Sequence, residues 1–353
     1  MSNKVLMKGN EAIAEAAIRS GCRHFFGYPI TPQTELSAYM AKKMPKIGGV
    51  FLQAESEVAA INMVYGAAGA GARAMTSSSS PGISLKAEGI SYIAGADVPC
   101  VIVDIVRGGP GLGGIQPAQS DYFQATKGGG HGDYHLIVLA PNSVQEIVSL
   151  TADAFNLSDT YRVPTMILGD GTLGQMMEPV DFDNIPKPID AKKDWATDGT
   201  DGKRKHNIIN SLYLSPEELE NKVRERYERY EIIKDKEQRF EAHDIDDAEV
   251  VISSYGTTSR VVESAVKTLR EEGYKVGVIR PITLWPFPEK AFKTAKNAKA
   301  FLSVEMSMGQ MVEDIRLAVN GKAPVYFYGR TGGIIPTPSE IIEEVKKIFK
   351  DIK

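Results

Sequence analysis

The segment 27–35, GYPITPQTE, places Thr31 between two prolines directly after a short apolar run. Proline fixes the backbone angle φ, so such a loop can present a hydroxyl group to a ligand at little entropic cost. The same residues also suit an ordinary strand-to-helix turn in which Thr31 or Thr34 caps the next helix. Taken alone, the loop favours the ordinary turn, and Thr31 needs support from other residues to count as a binding residue.

Two glycine-rich segments carry further hydroxyl groups and one arginine. They are TSSSSPG at 76–82 and RGGPGLGGIQPAQSD at 107–121. Glycine-rich loops can approach phosphates closely, but neither segment matches GxGxxG or a P-loop, so their spacing is a weak indication. Arg107 is more informative, because an arginine at a strand end can bind a carboxylate through two parallel hydrogen bonds.

Two acidic residues, Glu55 and Glu57, open the segment QAESEVAAINMVYGAAGAGAR, whose later residues are almost all small or apolar. Acidic side chains near a helix N-terminus suit the helix dipole, which accounts for either residue without any function. The helix that follows is too small and apolar for a surface helix, however. We therefore expect Glu57 to point into a packed interface.

His131, Asp133 and His135 alternate along the chain and would lie on one face of a strand, as metal ligands can. Three glycines precede them, however, and support for a third ligand is thin. We therefore do not expect a zinc site here.

Strands and helices that alternate along the chain position these loops. Continuous apolar runs, typical of strands buried on both faces, occur at 99–106, 135–140 and 163–168. A helix is predicted over 10–20, with Asn10 as its cap and Gly21 as its stop, and another from a capping box at Ser143 and Glu146 to about Asp159. This alternation predicts a doubly wound parallel sheet with ligands beyond the carboxyl ends of its strands.

Residues 181–246 differ in composition, since they are rich in charge and proline. Ser215, Pro216 and Glu218 start a helix in this segment. Its apolar residues recur at spacings of four and three and predict one buried stripe, formed by Leu219, Val223, Tyr227, Tyr230 and Ile233. We interpret the segment as an arm between domains whose charges form a solvated face. Alternation resumes over 247–353, with helices predicted at 258–272 and 309–320 and a second, smaller α/β domain.

Bulk properties exclude several classes of protein. A chain of 353 residues exceeds one usual core, which favours two domains. The net charge of −4 does not favour binding to nucleic acid or to an anionic membrane. Cys22 and Cys100 are the only cysteines, so the chain holds no CxxC pair or four-cysteine cluster site. The start of the sequence lacks a signal-like segment and no run of 18 apolar residues occurs, so a cytoplasmic location is expected.

Taken together, GNEAIAEAAIRSG, GYPITPQTE, ESEVAAINMVYGAAGAGAR, RGGPGLGG and GGGHGDY resemble the α-type chain of the 2-oxoacid:ferredoxin oxidoreductases. The resemblance covers nearly the whole chain, and the motifs follow the family's order. YPITPQTE, TSSSSPGISLK and the late FYGRTGG are most similar to the branched-chain subgroup, which acts on ketoisovalerate (3-methyl-2-oxobutanoate).

The resemblance implies a division of the chain and a set of partners. Residues 1–180 would form the domain that binds the pyrimidine end of thiamine diphosphate, and 247–353 a transketolase C-terminal-like domain. A diphosphate-binding β subunit would bring Mg²⁺, which accounts for the incomplete motif at Gly169-Asp170-Gly171: the asparagine it needs is missing, and Asn184 comes too soon. A γ subunit and a ferredoxin-like subunit with iron–sulfur clusters would complete a hetero-oligomer that uses a 2-oxoacid and coenzyme A.

The resemblance also assigns residues. Thiamine enzymes of several families share a glutamate nine residues before a glycine; Glu57 and Gly66 match that spacing, whereas Glu55 does not. Glu57 would be catalytic, through a hydrogen bond to N1′ of the aminopyrimidine. Thr31 and Arg107 would hold the substrate carboxylate, with Thr31 also near the cofactor, and His131 would lie near the site without an assigned role.

The family's usual GPSTG after the arginine is replaced by GPGLG at 109–113. Two hydroxyl groups are lost, which fits a more apolar acyl pocket and weakens the transfer of residue roles beyond Arg107. A 2-oxoglutarate enzyme is the nearest alternative, but no extra Arg or Lys stands in 27–35 or 107–121. A non-catalytic scaffold subunit of the same fold is another alternative, and a Rossmann enzyme lacks its glycine fingerprint.

Overall fold

The computed structural model describes residues 4–352 and contains three β-sheets flanked by helices. The strands are β1 (Val5–Lys8), β2 (His24–Gly27), β3 (Val50–Gln53), β4 (Ala74–Ser78), β5 (Val101–Val106), β6 (Ile137–Leu139), β7 (Thr165–Asp170), β8 (Met177–Val180), β9 (Phe240–His243), β10 (Val250–Ser253), β11 (Val276–Pro281), β12 (Thr283–Trp285), β13 (Ala300–Glu305) and β14 (Val325–Gly329). The helices are α1 (Gly9–Arg19), α2 (Thr34–Lys43), α3 (Glu57–Gly69), α4 (Pro81–Gly95), α5 (Tyr122–Thr126), α6 (Val144–Tyr161), α7 (Gly171–Gln175), α8 (Pro216–Lys236), α9 (Gly256–Glu271), α10 (Glu289–Thr294), α11 (Met311–Val319) and α12 (Pro338–Asp351), with a short 3-10 helix at Met44–Ile47.

The largest sheet has seven strands in the order β12-β6-β7-β5-β4-β2-β3. Its strands are parallel except β12, which pairs antiparallel with β6. Every residue of β4, β5 and β7 is buried, because helices cover both faces of the sheet. The predicted doubly wound α/β fold is confirmed, and the loops at 28–33, 79–80 and 107–121 all follow carboxyl ends of its strands.

The second sheet has five strands in the order β14-β13-β10-β11-β9, with only β9 antiparallel to its neighbour. α9 and α12 pack on it and share its apolar core. β9 lies within the segment 181–246, and β12 lies beyond 247 but completes the larger sheet. The two sheets are therefore joined by β12 as well as by side chains.

The charged segment runs from an extended stretch into α8. Ser215 caps α8 by accepting a hydrogen bond from the N–H of Glu218. The predicted apolar stripe is buried only in its second half: Tyr230 and Ile233 are buried, whereas Leu219 is 44% exposed and Arg226 lies buried instead. Arg226 is held by the Asp97 carboxylate and the Gly95 carbonyl, so an ion pair takes part of the place that the prediction gave to apolar packing.

Two predicted caps also differ from the structure. Asn10 is not the N-cap of α1, which begins at Gly9; its side chain is buried and donates to the Pro32 carbonyl and to Glu35. Ser143 caps α6 as predicted, but the Glu146 carboxylate accepts from the N–H of Asn142 and pairs with Arg280 of β11. Both side chains serve long-range contacts, which local spacing does not show. Within residues 4–352, no helix has the length and apolar character needed to cross a membrane.

Candidate functional site

Glu57 is the first residue of α3, and its side chain is 6% exposed. Ser56 caps the helix by accepting from the N–H of Ala59, so the cap does not use the Glu57 carboxylate. That carboxylate accepts no hydrogen bond from any residue in the range 4–352. It packs instead against α4, where a Cβ on Gly82 would lie 2.8 Å from Glu57 Oε1. The predicted burial of Glu57 in a packed interface is therefore present, and Glu55 is exposed.

Arg107 brings two of the predicted loops together. Its Nη1 donates to the Thr31 carbonyl oxygen at 3.0 Å and its Nη2 to the Leu112 carbonyl oxygen at 3.3 Å. Its Nε is buried without a partner among the described residues. Arg107 is 8% exposed, whereas Thr31 is exposed. The guanidinium is thus fixed by two backbone oxygens, and its other N–H groups, including the Nε–H, remain for a ligand.

Both loops are rigid for identifiable reasons. Gln175 and Asn10 donate to the Pro32 carbonyl oxygen, and Ser77 donates to the buried Gln33 side chain at 2.6 Å. In the second loop, Gly113 has a φ of 58°, and a Cβ there would lie 1.9 Å from the Gly108 carbonyl oxygen. Only glycine fits this turn, so the run of glycines after Arg107 has a backbone role.

A cleft of about 490 Å³ opens beside the second loop. One wall comes from the loops and helices of the larger sheet and the other from the loop after β13 and from Thr331. The lining residues are Ser80, Pro81, Ser84, Gly108, Gly109, Pro110, Gly111, Ser120, Asp121, Gln124, Met308, Gln310 and Thr331. None of these lining residues is Arg or Lys, and one is an aspartate.

A polar cluster that the sequence analysis missed lies under α4. Lys86 is fully buried and donates to Thr76 Oγ1 at 2.8 Å and to the Ser77 carbonyl oxygen at 2.9 Å. Burial lowers the pKa of Lys86 to about 7, while the negative charges of Glu57 and Asp104 oppose that shift. A lone lysine is usually a surface residue, so nothing in the local sequence indicates that Lys86 is buried.

Asp104 completes this cluster from β5. Burial raises the pKa of Asp104 well above its usual value, and repulsion from Asp121 adds to the shift. Burial likewise raises the pKa of Asp121, which lines the cleft. The sequence does contain a signal for this cluster, since Asp104 interrupts the apolar run VIVDIV. A charged residue inside a buried strand is costly unless polar groups surround it.

Asp170 of the incomplete GDG motif has a structural role. Its Oδ1 accepts from the N–H of Leu173 at 3.0 Å, which caps α7. Its Oδ2 accepts from the backbone N–H of Thr257 at 3.3 Å and from the Thr257 hydroxyl at 2.5 Å, at the start of α9. Gln119 adds a second tie, since its side chain donates to the Tyr255 carbonyl oxygen and accepts from the N–H of Met306. These two residues hold the smaller sheet against the larger one.

The three alternating residues of the 131–135 segment diverge. His135 stacks on Trp285 with ring centroids 4.5 Å apart, inside a cluster that also contains Tyr227 and Tyr230. His131 and Asp133 are exposed, and residues 4–352 contain no cluster of three or more His, Cys, Asp or Glu side chains suited to a metal ion. The His131 carbonyl accepts from Ser91 of α4, and within the described part of the chain there is no hydrogen bond, ion pair or ring contact between the His131 side chain and Thr31, Glu57 or Arg107.

The side chains present fit a thiamine-type cofactor at Glu57. A buried carboxylate without a partner is an acceptor for a protonated ring nitrogen of the ligand, and Gly82 allows α4 to pack closely against it, because a Cβ there would lie 2.8 Å from Oε1. The free Nε of Arg107 and the exposed Thr31 stand at the carboxyl ends of the neighbouring strands, where ligands of open α/β sheets bind.

Comparisons with known proteins agree with this arrangement. Residues 15–256 match the family described as pyruvate flavodoxin/ferredoxin oxidoreductase, thiamine diP-bdg (thiamine diphosphate-binding), and residues 248–341 match pyruvate:ferredoxin oxidoreductase core domain II. The chain is 49% identical to the ketoisovalerate oxidoreductase subunit VorB of Methanothermobacter marburgensis over 97% of both chains. It is 38% identical to the 2-oxoglutarate synthase subunit KorA of Methanocaldococcus jannaschii, over 95% of this chain and 97% of that one.

The chain is also similar to two solved structures. The 2-oxoglutarate:ferredoxin oxidoreductase from Magnetococcus marinus, with 2-oxoglutarate, coenzyme A and succinyl-CoA bound, superposes with a TM-score of 0.89 at 31% identity. The match covers 100% of this chain and 66% of that chain. A split gene transketolase, at 13% identity and a TM-score of 0.62, shares the fold alone.

Proposed function

The chain belongs to the α-type subunits of the 2-oxoacid:ferredoxin oxidoreductases, and from this premise we propose that it acts in the oxidative decarboxylation of branched-chain 2-oxoacids such as 2-oxoisovalerate. The products would be an acyl-coenzyme A and carbon dioxide, with electrons passed to ferredoxin. The observation that carries the substrate class is the 49% identity to a ketoisovalerate oxidoreductase subunit over 97% of the chain.

Among the described residues, the cleft offers no cation that could pair with a second carboxylate. 2-Oxoglutarate carries a second carboxylate, which would need a positive partner, but the residues that line the cleft include Asp121 and neither Arg nor Lys. Leu112, in the loop after Arg107, has an apolar side chain that is 84% exposed and would be available to a ligand or a partner subunit. An uncharged, branched acyl group suits these surroundings better than a second negative charge does.

The proposed roles follow from the contacts. Glu57 would bind the pyrimidine ring of thiamine diphosphate and hold or release a proton at its unpartnered carboxylate. Arg107, fixed by two backbone oxygens, would orient the substrate carboxylate through its free Nε, beside Thr31. When bound, thiamine diphosphate supplies the carbon nucleophile that adds to the 2-oxo group. Positioned acid–base groups such as Glu57 contribute about 10²- to 10⁴-fold to a rate.

The remaining parts of the enzyme are proposed to lie on other chains. Residues 1–180 would bind the pyrimidine end of the cofactor, and 247–353 would form the transketolase C-terminal-like domain. Mg²⁺ and the diphosphate would be held by a β subunit, because Asp170 is occupied in tying the two sheets together. A γ subunit and a ferredoxin-like iron–sulfur subunit would complete the complex.

The test is to co-express the chain with its partner subunits and to measure 2-oxoacid- and coenzyme A-dependent dye reduction. Turnover of 2-oxoisovalerate that is lost in Glu57→Gln and kept in Glu55→Gln would support the function and the acid; Glu55 is the matched control because it is exposed two residues earlier. Turnover confined to 2-oxoglutarate would overturn the substrate class. An active Glu57→Gln complex would overturn the assignment of the acid.

A further inference from the structure

The loop that follows β5 is closed by its own backbone. The Gly108 N–H donates to the Gln116 carbonyl oxygen at 2.9 Å. Arg107 and Pro117 pair as an isolated antiparallel β-bridge. The Arg107 loop, residues 107–117, therefore returns to its start, and Gln116 lies beside the residue that follows Arg107.

The RTGG turn, residues 330–333, reaches the Arg107 loop from the smaller sheet. It follows β14, and the N–H of Arg330 donates to the carbonyl oxygen of Glu305, at the end of β13, at 3.1 Å. Thr331 of the turn and Gly108 of the loop both line the cleft. The turn therefore forms part of one wall of the cleft and is fixed to the smaller sheet by a backbone hydrogen bond.

The backbone of the RTGG turn packs on the loop where no side chain would fit. Gly333 has a φ of 94°, and a Cβ on it would lie 2.2 Å from Gln116 Cβ. Gln116 Cβ is bonded to the backbone, so it can move only when the backbone of the loop moves. A Cβ on Gly108 would lie 3.7 Å from the Gly332 carbonyl carbon, which is an ordinary contact. Glycine at 333 therefore allows the turn to pack directly on the residue whose carbonyl binds the Gly108 N–H.

Gln119 anchors the chain just beyond the Arg107 loop to the same sheet. Its N–H donates to the Met306 carbonyl oxygen at 2.8 Å. Its Oε1 accepts from the Met306 N–H at 2.9 Å and from the Thr258 hydroxyl at 3.1 Å. Because this side of the loop is held in place, a displacement of Gln116 is passed to Gly108 and Arg107.

We propose that Gly333 is a positioning residue for Arg107, through which the smaller sheet sets where the guanidinium meets the substrate carboxylate. Gly333 has no side chain to contact the substrate, and it acts through Gln116 and the Gly108 N–H. The proposal rests on the function proposed above, because that function assigns the substrate carboxylate to Arg107. The smaller sheet then takes part in substrate binding, although none of its residues that line the cleft is charged.

A methyl group on Gly333 should displace the Arg107 loop. Carbon atoms in contact lie about 3.5–4.0 Å apart, so the separation of 2.2 Å has to widen by about 1.5 Å. A misplacement of about 1 Å can cost a catalysed reaction about 100-fold in rate. Since the turn absorbs part of the movement, kcat/KM for 2-oxoisovalerate should fall about 10- to 100-fold in Gly333→Ala.

The contact is tested without any substrate, by hydrogen exchange of the full chain measured by mass spectrometry. Peptides that cover 107–117 should exchange about 10-fold faster in Gly333→Ala, because the hydrogen bond of the Gly108 N–H is weakened. Gly321→Ala is the matched control, because Gly321 also has a positive φ, 74°, but a Cβ on it would meet open space. Equal exchange of these peptides in the two variants would overturn the contact.

The positioning role is tested in the assembled complex by the KM for each substrate. Gly333→Ala should raise the KM for 2-oxoisovalerate at least about 10-fold and leave the KM for coenzyme A unchanged, because only the 2-oxoacid binds Arg107. A variant that is merely less stable forms fewer active complexes, which lowers the rate per total protein and leaves both KM values unchanged. A KM for 2-oxoisovalerate that is the same in Gly333→Ala and Gly321→Ala would overturn the positioning role.

A second substitution in Gly333→Ala separates this contact from a general defect in folding. Gln116→Gly removes the atom that the new methyl group would meet, so the double variant should match Gln116→Gly alone in both KM and hydrogen exchange. Gln116→Ala keeps that Cβ and should not restore Gly333→Ala. A double variant with Gln116→Gly that stays impaired, or that fails to fold as Gly333→Ala does, would overturn the proposal. A wild-type complex inactive towards every 2-oxoacid would refute the proposed function, and the hydrogen exchange would still decide the contact.

Discussion

Glu305 at the end of β13 is the side chain whose loss should cost the smaller sheet most. It is fully buried, and its two oxygens accept five hydrogen bonds of 2.8 to 3.0 Å, from the hydroxyls of Ser303 and Ser307 and from the N–H groups of Gln310, Met311 and Val312. In Glu305→Gln, an amide NH₂ replaces one oxygen and faces at least one backbone N–H. That N–H loses a charge-assisted hydrogen bond worth about 1.5–3 kcal/mol. It also stays buried without a partner, which costs about 1–3 kcal/mol in addition. We expect a total loss of about 3–5 kcal/mol.

Urea denaturation followed by circular dichroism measures this loss as a lower midpoint. Glu313→Gln on the same helix is the matched control, because Glu313 is exposed and its change should stay within about 0.5 kcal/mol. The loop after Glu305 also lines the cleft and is tied to the larger sheet through Met306 and Gln119, so the assembled enzyme should lose activity as well. A loss below about 1 kcal/mol in Glu305→Gln would refute the claim that these five hydrogen bonds hold the loop.

Three further changes have definite expected results. Arg107→Lys keeps the charge but loses the planar guanidinium. The value of kcat/KM for 2-oxoisovalerate should therefore fall about 10- to 100-fold, which corresponds to the loss of one charge-assisted hydrogen bond. An unchanged kcat/KM would contradict the role of Arg107. Burial lowers the pKa of His135 to about 4. As the pH falls from about 6.5 to 4, the unfolded chain therefore binds a proton at this histidine that the folded chain does not bind. The free energy of unfolding should fall by about 2 kcal/mol over this range. The stability of His135→Phe, measured by denaturation, should lack this part of the pH dependence. Equal pH profiles of stability in wild type and variant would contradict the role of His135. Gly82→Ala adds a Cβ only 2.8 Å from Glu57 Oε1, so kcat should fall at least about 10-fold, whereas Gly132→Ala, which meets open space, should leave kcat unchanged; retained activity in Gly82→Ala would show that the carboxylate need not sit there.

Buried parallel strands could be predicted from the sequence, because continuous apolar runs mark them locally. β5 and β7 illustrate this, since each is apolar along most of its length and buried at every residue. β12 could not be predicted in the same way. It has three residues, stands between two prolines, and pairs with β6 more than 140 residues earlier in the chain. Its position depends on how the two sheets pack, and no local pattern encodes that.

The last helix, α12, was not predicted although its start is encoded locally. α12 was absent from the sequence-based prediction, although Thr337 caps it, Pro338 is its first residue and Glu340 completes a reciprocal capping box. These residues are a strong helix start that could be read directly from TPSE. The start of α12 is thus encoded locally, whereas the burial of Lys86 depends on tertiary packing that helix periodicity does not show.

The chain contains two buried glutamates in contrasting surroundings. Every acceptor position that Glu305 uses is filled by a fixed donor, so protonation would break bonds that hold a loop, and this carboxylate is suited to structure alone. The Glu57 carboxylate is also buried, at 6% exposure, but meets no donor among the residues described, an arrangement that costs stability unless a ligand supplies the missing partner. Folding has thus satisfied one carboxylate completely and left the other open at the carboxyl end of the sheet. A protein keeps such an unsatisfied group where binding energy can compensate it, which is why Glu57 and not Glu305 is the residue that can exchange a proton with a cofactor.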